Sequence, residues 1–576
     1  MLSRLVWRSA GEGCGWAGGA GQAVPVRDPA PTGAGGWGRW PILVVIGFGL
    51  VVGGAPLLVG PPGGDDAYYH AMRAQQHAHC WLGGVALPRW YPDLNAGLGG
   101  PEARAYPLVP LSIHAALALA ANDGVAATSL ATVLIAILAG CAMLRVGRRR
   151  GASPAWAAVA AVAWSASPYL VIALHERVSL AEGWGLAILP WVLDVSLPPR
   201  PASRGEMVEA ALAWAVLLAT QLPLAVMACG VVAAFHLAGP RRERLVRLVA
   251  AGALAAALSA VSWLPNAAAL GRTSSSFLTE GAFDFARHFL PGGLADDPVL
   301  GRQLLLALAG AAAAGLGLAA FDRRAARGLG AAAVATAFMA TPLAAPLYRY
   351  LPGLGWLQFP WRWIGVAACL ATLAALRSPR RGLRAVAIGL LLLPLAGVSW
   401  TRWRLAPGAP LRPGDSGGAV ARAAVRYGVP PILPSFPAYL PRGVDLPAAL
   451  AAAGRARALV TAVGRPSPDR FEFRCDAPAG GSVSLPLLAA DGWEVSVDGR
   501  RVGWANESGL ITIGVAPGEH RVVARQTLLP EDVAGIALSL AGVAALGFLA
   551  WRRRPSPPAP GSAADETGPV PGRPTS

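Results

Sequence analysis

Residues 64–81 read GDDAYYHAMRAQQHAHCW, which places two adjacent acids, Asp65 and Asp66, directly after one of the most apolar runs in the chain. Asp65 is placed to cap a helix running to about Leu82, because its carboxylate can accept from the exposed amides of the first turn. Asp66, His70, Arg73 and His77 recur at helical spacing and share one polar face, while Ala67, Ala71, Ala74 and Ala78 keep the helix slim. The bland reading of that face is a solvated surface over lipid headgroups. An Asp and a His at i and i+4 can also hold a divalent metal, so Asp66 and His70 are the metal candidates, the cofactor being otherwise unspecified. A carboxylate just outside a bilayer also suits the transfer of a sugar from a lipid phosphate to a hydroxyl. It takes the acceptor's proton as general base while arginines neutralise the departing phosphate.

Partners for such an acid lie further along the chain. HERVSLAE supplies Arg177 and Glu182, and LQFPWRW supplies Gln358 and Arg362. The bland alternatives are a local ion pair for the first and an interfacial Trp–Arg anchor for the second. Residues 88–110, PRWYPDLNAGLGGPEARAYPLVP, are too rich in Pro and Gly for a helix and read as an ordered loop, with Arg89, Arg104 and Tyr106 available to a ligand.

The elements that must position these residues are membrane helices. The chain has 576 residues, 54% hydrophobic and only 14% charged, the profile of a polytopic membrane protein. Apolar runs at 41–59, 125–146, 155–172, 180–197, 208–221, 223–237, 245–265, 301–321, 328–347, 363–376, 383–400 and 533–551 give about twelve spans. The formal charge of +17 comes from arginine, since no lysine occurs, and the arginines cluster between apolar runs. That is a topology signal, not a nucleic-acid face. With the N-terminus inside, the clusters at 148–150, 241–247, 323–327, 377–384 and 552–554 all fall on the cytoplasmic side, provided that 108–121 lies on the outer face without crossing.

This gives a disordered cytoplasmic tail over 1–40, a transmembrane domain over 41–403 with an extracytoplasmic loop at 60–124, and an extracytoplasmic domain over 404–530. A last span at 531–551 and a disordered cytoplasmic tail at 552–576 follow. Residues 404–530 hold the β-like segments, including GWEVSVDGRRVGW with Asp498-Gly499 as a two-residue hairpin turn, and read as a β-sandwich. The six cysteines show no CxxC spacing and imply neither a disulfide framework nor a zinc site.

The motifs DDAYYH, LPRWYPDLNAGLGGPEARAYPL, HERVSLAEGWGLAILPW and LQFPWRW, with the GWEVSVDGRRV and PGEHRV module before the last span, together resemble a family of multispanning bacterial membrane proteins. Its members are labelled 6-pyruvoyl-tetrahydropterin synthase-related, with the YfhO-like proteins more distant, and they look like members of the GT-C glycosyltransferase superfamily. The resemblance implies a polyprenyl-phosphate sugar donor, an envelope glycan, lipid or protein as acceptor, and a catalytic Asp in the first extracytoplasmic loop, where Asp65 and Asp66 stand. The pterin label does not carry over as chemistry, because HAHC at 77–80 lacks the third histidine motif of the soluble zinc enzymes.

The expectation is a mainly α, GT-C-like protein of the bacterial inner membrane with both termini cytoplasmic. Asp65 or Asp66 is its catalytic acid; His70, Arg73, Arg89, Arg104, Tyr106, Arg177, Glu182, Gln358 and Arg362 are its substrate-binding residues. The rival classes are a transporter or flippase of a lipid-linked precursor, which favours charges at the bilayer midplane, and a non-catalytic envelope scaffold, which keeps the acids apart from Arg177 and Arg362.

Overall fold

The computed structural model describes residues 38–59, 66–197, 204–237, 242–292, 297–322, 325–397 and 435–551. Each apolar run read from the sequence is largely helical over its described residues, with breaks inside the runs at 155–172, 245–265 and 328–347. The helices used below are α1 (Trp40–Val59), α2 (Ala67–Leu82), α3 (Leu108–Ala121), α4 (Gly124–Arg149), α5 (Leu180–Ser196), α6 (Pro298–Phe321), α7 (Trp363–Arg377), α8 (Leu446–Ala456) and α9 (Pro530–Trp551).

Among the described residues, α1, α4, α6 and α9 are each long and apolar enough to cross a membrane. Three bent pairs raise that number to seven: Pro154–Ser165 with Pro168–Glu176 at 41°, Val246–Leu258 with Ala260–Ala269 at 76°, and Ala326–Phe338 with Pro342–Tyr350 at 86°. The chain is thus a multi-pass, mainly helical membrane protein with a C-terminal β region. A count of about twelve requires shorter helices such as α5 and α7 to cross as well.

Helix contacts follow from small residues and apolar faces. A Cβ on Gly53 would stand 2.5 Å from the Val133 Cα, and one on Gly49 2.6 Å from the Ile137 side chain, so these two glycines let α1 and α4 touch backbone to backbone. Helices α5 and α7 are apolar nearly all round and buried nearly all round.

The β region has two antiparallel sheets. One has the order β1 (Val460–Ser467), β2 (Arg470–Ala477), β8 (Gly518–Gln526), β4 (Trp493–Val497), β5 (Arg500–Val502); the other has the order β3 (Gly481–Leu488), β7 (Leu510–Val515), β6 (Ala505–Glu507). Phe473, Val483, Leu485, Trp493, Ile513 and Val522 are buried in its core, the inward half of an alternating pattern. Asp498 and Gly499, at φ +48° and +81°, form the expected turn between β4 and β5. Residues 404–434 of the domain expected at 404–530 lie outside the described residues, as do the tails at 1–37 and 552–576.

The first loop is an ordered layer between membrane helices and β region. Helix α2 packs on α3 and α4. The segment read as irregular closes on itself through a Tyr91–Gly100 bridge, and Trp90 meets Trp493 of β4 edge to face at 5.0 Å. This layer carries Asp66.

Candidate active site

Asp66 is the N-cap residue of α2, yet its side chain makes no capping hydrogen bond. Its amide donates instead to the Arg177 carbonyl at 3.2 Å. Asp65, the residue expected to cap, lies outside the described residues. The Asp66 carboxyl is half-buried, and the guanidinium groups of Arg177, Arg73 and Arg362 act on it together with the opposing charge of Glu182. Burial raises its pKa above the ordinary value, and the three arginines pull the other way without overcoming it. A carboxyl poised in this way suits proton uptake better than an exposed one does.

Glu182 joins the distant partners. Its Oε2 accepts from Arg177 Nη1 at 2.9 Å and from Arg362 Nε at 3.2 Å, and its Oε1 accepts from the Tyr169 hydroxyl at 2.5 Å. The local Arg177–Glu182 pair read from the sequence therefore exists, with a third arm from α7 and a fourth from the preceding bent helix. The LQFPWRW segment is not a lipid-facing anchor: Trp361 and Trp363 are buried, and Trp363 Nε1 donates to the Tyr348 hydroxyl at 2.8 Å. The aromatic residues serve the arginines instead, with Phe359 4.8 Å beneath Arg362 and 5.3 Å beneath Arg177.

Two strained turns aim these groups. Val178 has φ +52°, a conformation that a β-branched residue adopts only when its surroundings impose it. It turns the chain so that Arg177 presents its carbonyl to Asp66 and its side chain to Glu182. Gln358, at φ +57° and ψ −55°, is the centre of a γ-turn closed by Phe359 N donating to Leu357 O at 2.5 Å. Its amide donates to the Leu278 carbonyl at 2.8 Å. Strain of this kind is held by packing and gathers where side-chain direction matters.

The polar face of α2 is not solvated: His70, Arg73 and His77 are buried. Arg73 pairs through Nε with Glu102 at 2.9 Å and lies 4.3 Å from the Tyr106 ring, with Tyr69 and Tyr439 on its flanks. His70 Nε2 accepts from the Leu180 amide at 3.2 Å, so it caps the start of α5 and its lone pair is engaged. Among the described residues no three of His, Cys, Asp and Glu gather as a metal site. No step below uses a metal.

The expected ligand residues thus divide. Asp66, Arg73, Arg177, Glu182 and Arg362 form one constellation, with His70 and Tyr106 supporting α2 and Gln358 supporting the turn. Arg89 and Arg104 lie elsewhere, on the buried carboxylate of Asp532 in α9, at 3.0 and 3.2 Å. Reading the sequence missed Tyr169, Glu102 and Tyr439. Tyr169 is a lone phenol in an apolar run, and Glu102 sits within a Pro/Gly-dense loop already marked as ordered, so their types alone were the available signals.

No family model matches the chain, and no curated protein does. Among solved structures it is similar to the arabinofuranosyltransferase AftD from mycobacteria, with 20% identity over 68% of this chain and 29% of that one at a TM-score of 0.42. Structures of two classes of an AftD mutant match with 22% and 21% identity, 68% of this chain and 30% of theirs, and TM-scores of 0.42 and 0.43. The match thus takes in less than a third of the AftD chain.

Proposed function

We propose that this protein is a GT-C-like membrane glycosyltransferase that moves a sugar from a polyprenyl-phosphate donor to an envelope glycan, lipid or protein on the outer face of the bacterial cytoplasmic membrane. The observation that carries the reading is a half-buried Asp66, not used as a cap, set among Arg73, Arg177 and Arg362. The clustering of arginines on the opposite side of the apolar runs supports cytoplasmic termini and about twelve spans.

In the reaction, Asp66 accepts the proton of the acceptor hydroxyl as its oxygen forms a bond to the donor's anomeric carbon. The bond between that carbon and the phosphate oxygen breaks, and polyprenyl phosphate leaves with both electrons. Arg177 Nη1 and Arg362 Nε donate to Glu182 and Arg362 Nη1 to the Leu357 carbonyl, and the N–H groups left on the two guanidiniums turn to the growing phosphate charge. Arg73, held by Glu102, partly offsets the burial of Asp66. Asp65 is the second candidate for the base.

The gathering of acid and arginines at one outer site is what the scaffold alternative does not provide for, and its place at helix ends rather than midway along them disfavours a transporter. The test is transfer of labelled sugar from a panel of polyprenyl-phosphate donors in membranes with and without the protein. Transfer that depends on the protein supports the reading, and none from any donor removes it.

A further inference from the structure

A series of rings that no step above uses runs between the arginines that act on Asp66. Tyr69 of α2 meets Phe436 at 5.4 Å, Phe436 meets Phe283 at 5.7 Å, and Phe283 meets Phe359 at 6.0 Å. Both ends of the series rest on arginines that act on Asp66: Arg73 lies 5.3 Å from Tyr69, and Arg177 5.3 Å from Phe359. The four rings come from four separate segments, so the arch exists only in the folded protein. Phe277 extends it outward, 5.4 Å from Phe283 and 41% exposed.

These rings are poor core material. All four of the arch are half-buried; Phe359 is stacked on Trp361 at 4.8 Å and lies beneath Arg362, whereas the ring contacts of Phe283 and Phe436 are edge-to-face or tilted, not stacked. Guanidinium groups and the Gln358 amide lie among them. A face of aromatic carbon edged by hydrogen-bond donors matches a sugar ring, which has C–H groups on one face and hydroxyls around its edge. It does not match a hydrocarbon chain, for which buried cationic neighbours are costly. The surface suited to lipid is separate: the bent 342–357 segment exposes Leu343, Tyr350, Leu351 and Trp356. Phe436 also lies just ahead of α8 and the β region in the chain, and its amide donates to Glu102 Oε1 at 2.8 Å.

We infer that the arch of Tyr69, Phe436, Phe283 and Phe359 is the binding site for a sugar residue of the acceptor, stacking that sugar so that its hydroxyl faces Asp66. This rests on the transferase reading for the role of the bound sugar, while the binding itself is measured without donor.

The experiment uses the full chain in lipid nanodiscs and three linear hexasaccharides, an arabinan, a mannan and a β-glucan, with binding followed by ligand-observed NMR. At least one hexasaccharide is expected to bind. Phe277→Ala and Phe283→Ala should each weaken it about tenfold or more, and Phe283→Tyr should retain it. Phe277, the most exposed ring, separates loss of binding from loss of fold. No binding by any hexasaccharide, or binding unchanged in both alanine variants, overturns the inference. Loss of decaprenyl-phosphate binding in Phe277→Ala with no effect on the sugars also overturns it, since the rings would then hold the lipid. Sugar binding that behaves as expected in a protein without transfer activity would leave this site standing and remove only the transferase reading.

Discussion

Asp66 is stabilised less than its surroundings suggest, because three arginines fail to offset its burial. A carboxyl whose pKa is raised by folding contributes stability while protonated, fully below its ordinary pKa, and loses that contribution as pH rises through the folded value. At neutral pH that contribution is therefore smaller than in acid. Asp66→Asn should melt higher than the wild type at pH 7, with the gap narrowing towards pH 4, as followed by thermal unfolding in detergent. A lower melting temperature at pH 7 would mean that the carboxylate is a structural ion-pair partner. Glu182 is the opposite case. Removing its charge leaves Arg177 and Arg362 buried on a neutral amide, so Glu182→Gln should cost about 3 kcal/mol or more in the same assay.

At the level of elements, the strained turn at Val178 is what brings the start of α5 against α2. Glycine adopts φ +52° freely. Val178 is also fully buried in the core, so Val178→Gly relieves the strained φ but should lower the melting temperature through the lost side chain and lower transfer severalfold, because the Arg177 carbonyl and side chain lose their fixed direction. Unchanged transfer would show that the strain serves packing alone. The apolar runs were legible in the sequence because their length and composition are local properties, and the Asp498-Gly499 hairpin because its turn demands positive φ. The pairing of Arg177 with Arg362 was legible only as co-occurrence on outer loops. Glu182 as their shared acceptor, Tyr169 behind it and Phe436 beside Tyr69 depend on contacts between distant segments, which no spacing rule reports. The pairing of Arg89 and Arg104 with Asp532 was hidden for the same reason, since Asp532 lies far along the chain.

Across the whole molecule, that Asp532 cluster ties the first loop to the last helix. Arg89 also donates to the Val261 carbonyl at 3.0 Å, and Arg272 pairs with both Glu531 and Asp491 of the β region. Burial lowers the pKa of Arg89 and Arg104, and Asp532 opposes that loss. Asp532→Ala would strand two buried cations at a cost of about 3–5 kcal/mol, seen as a lower melting temperature and faster proteolysis near residue 530. A variant as stable as the wild type would show that the loop and last helix are held by packing alone. The central claim, however, is that the protein transfers sugar at Asp66. It is tested by sugar transfer from polyprenyl-phosphate donors in membranes carrying the wild type, Asp65→Asn and Asp66→Asn at matched expression. Transfer by the wild type and Asp65→Asn, with a loss of about a hundredfold or more in Asp66→Asn, is the expected result. Wild-type transfer rates in Asp66→Asn would contradict it.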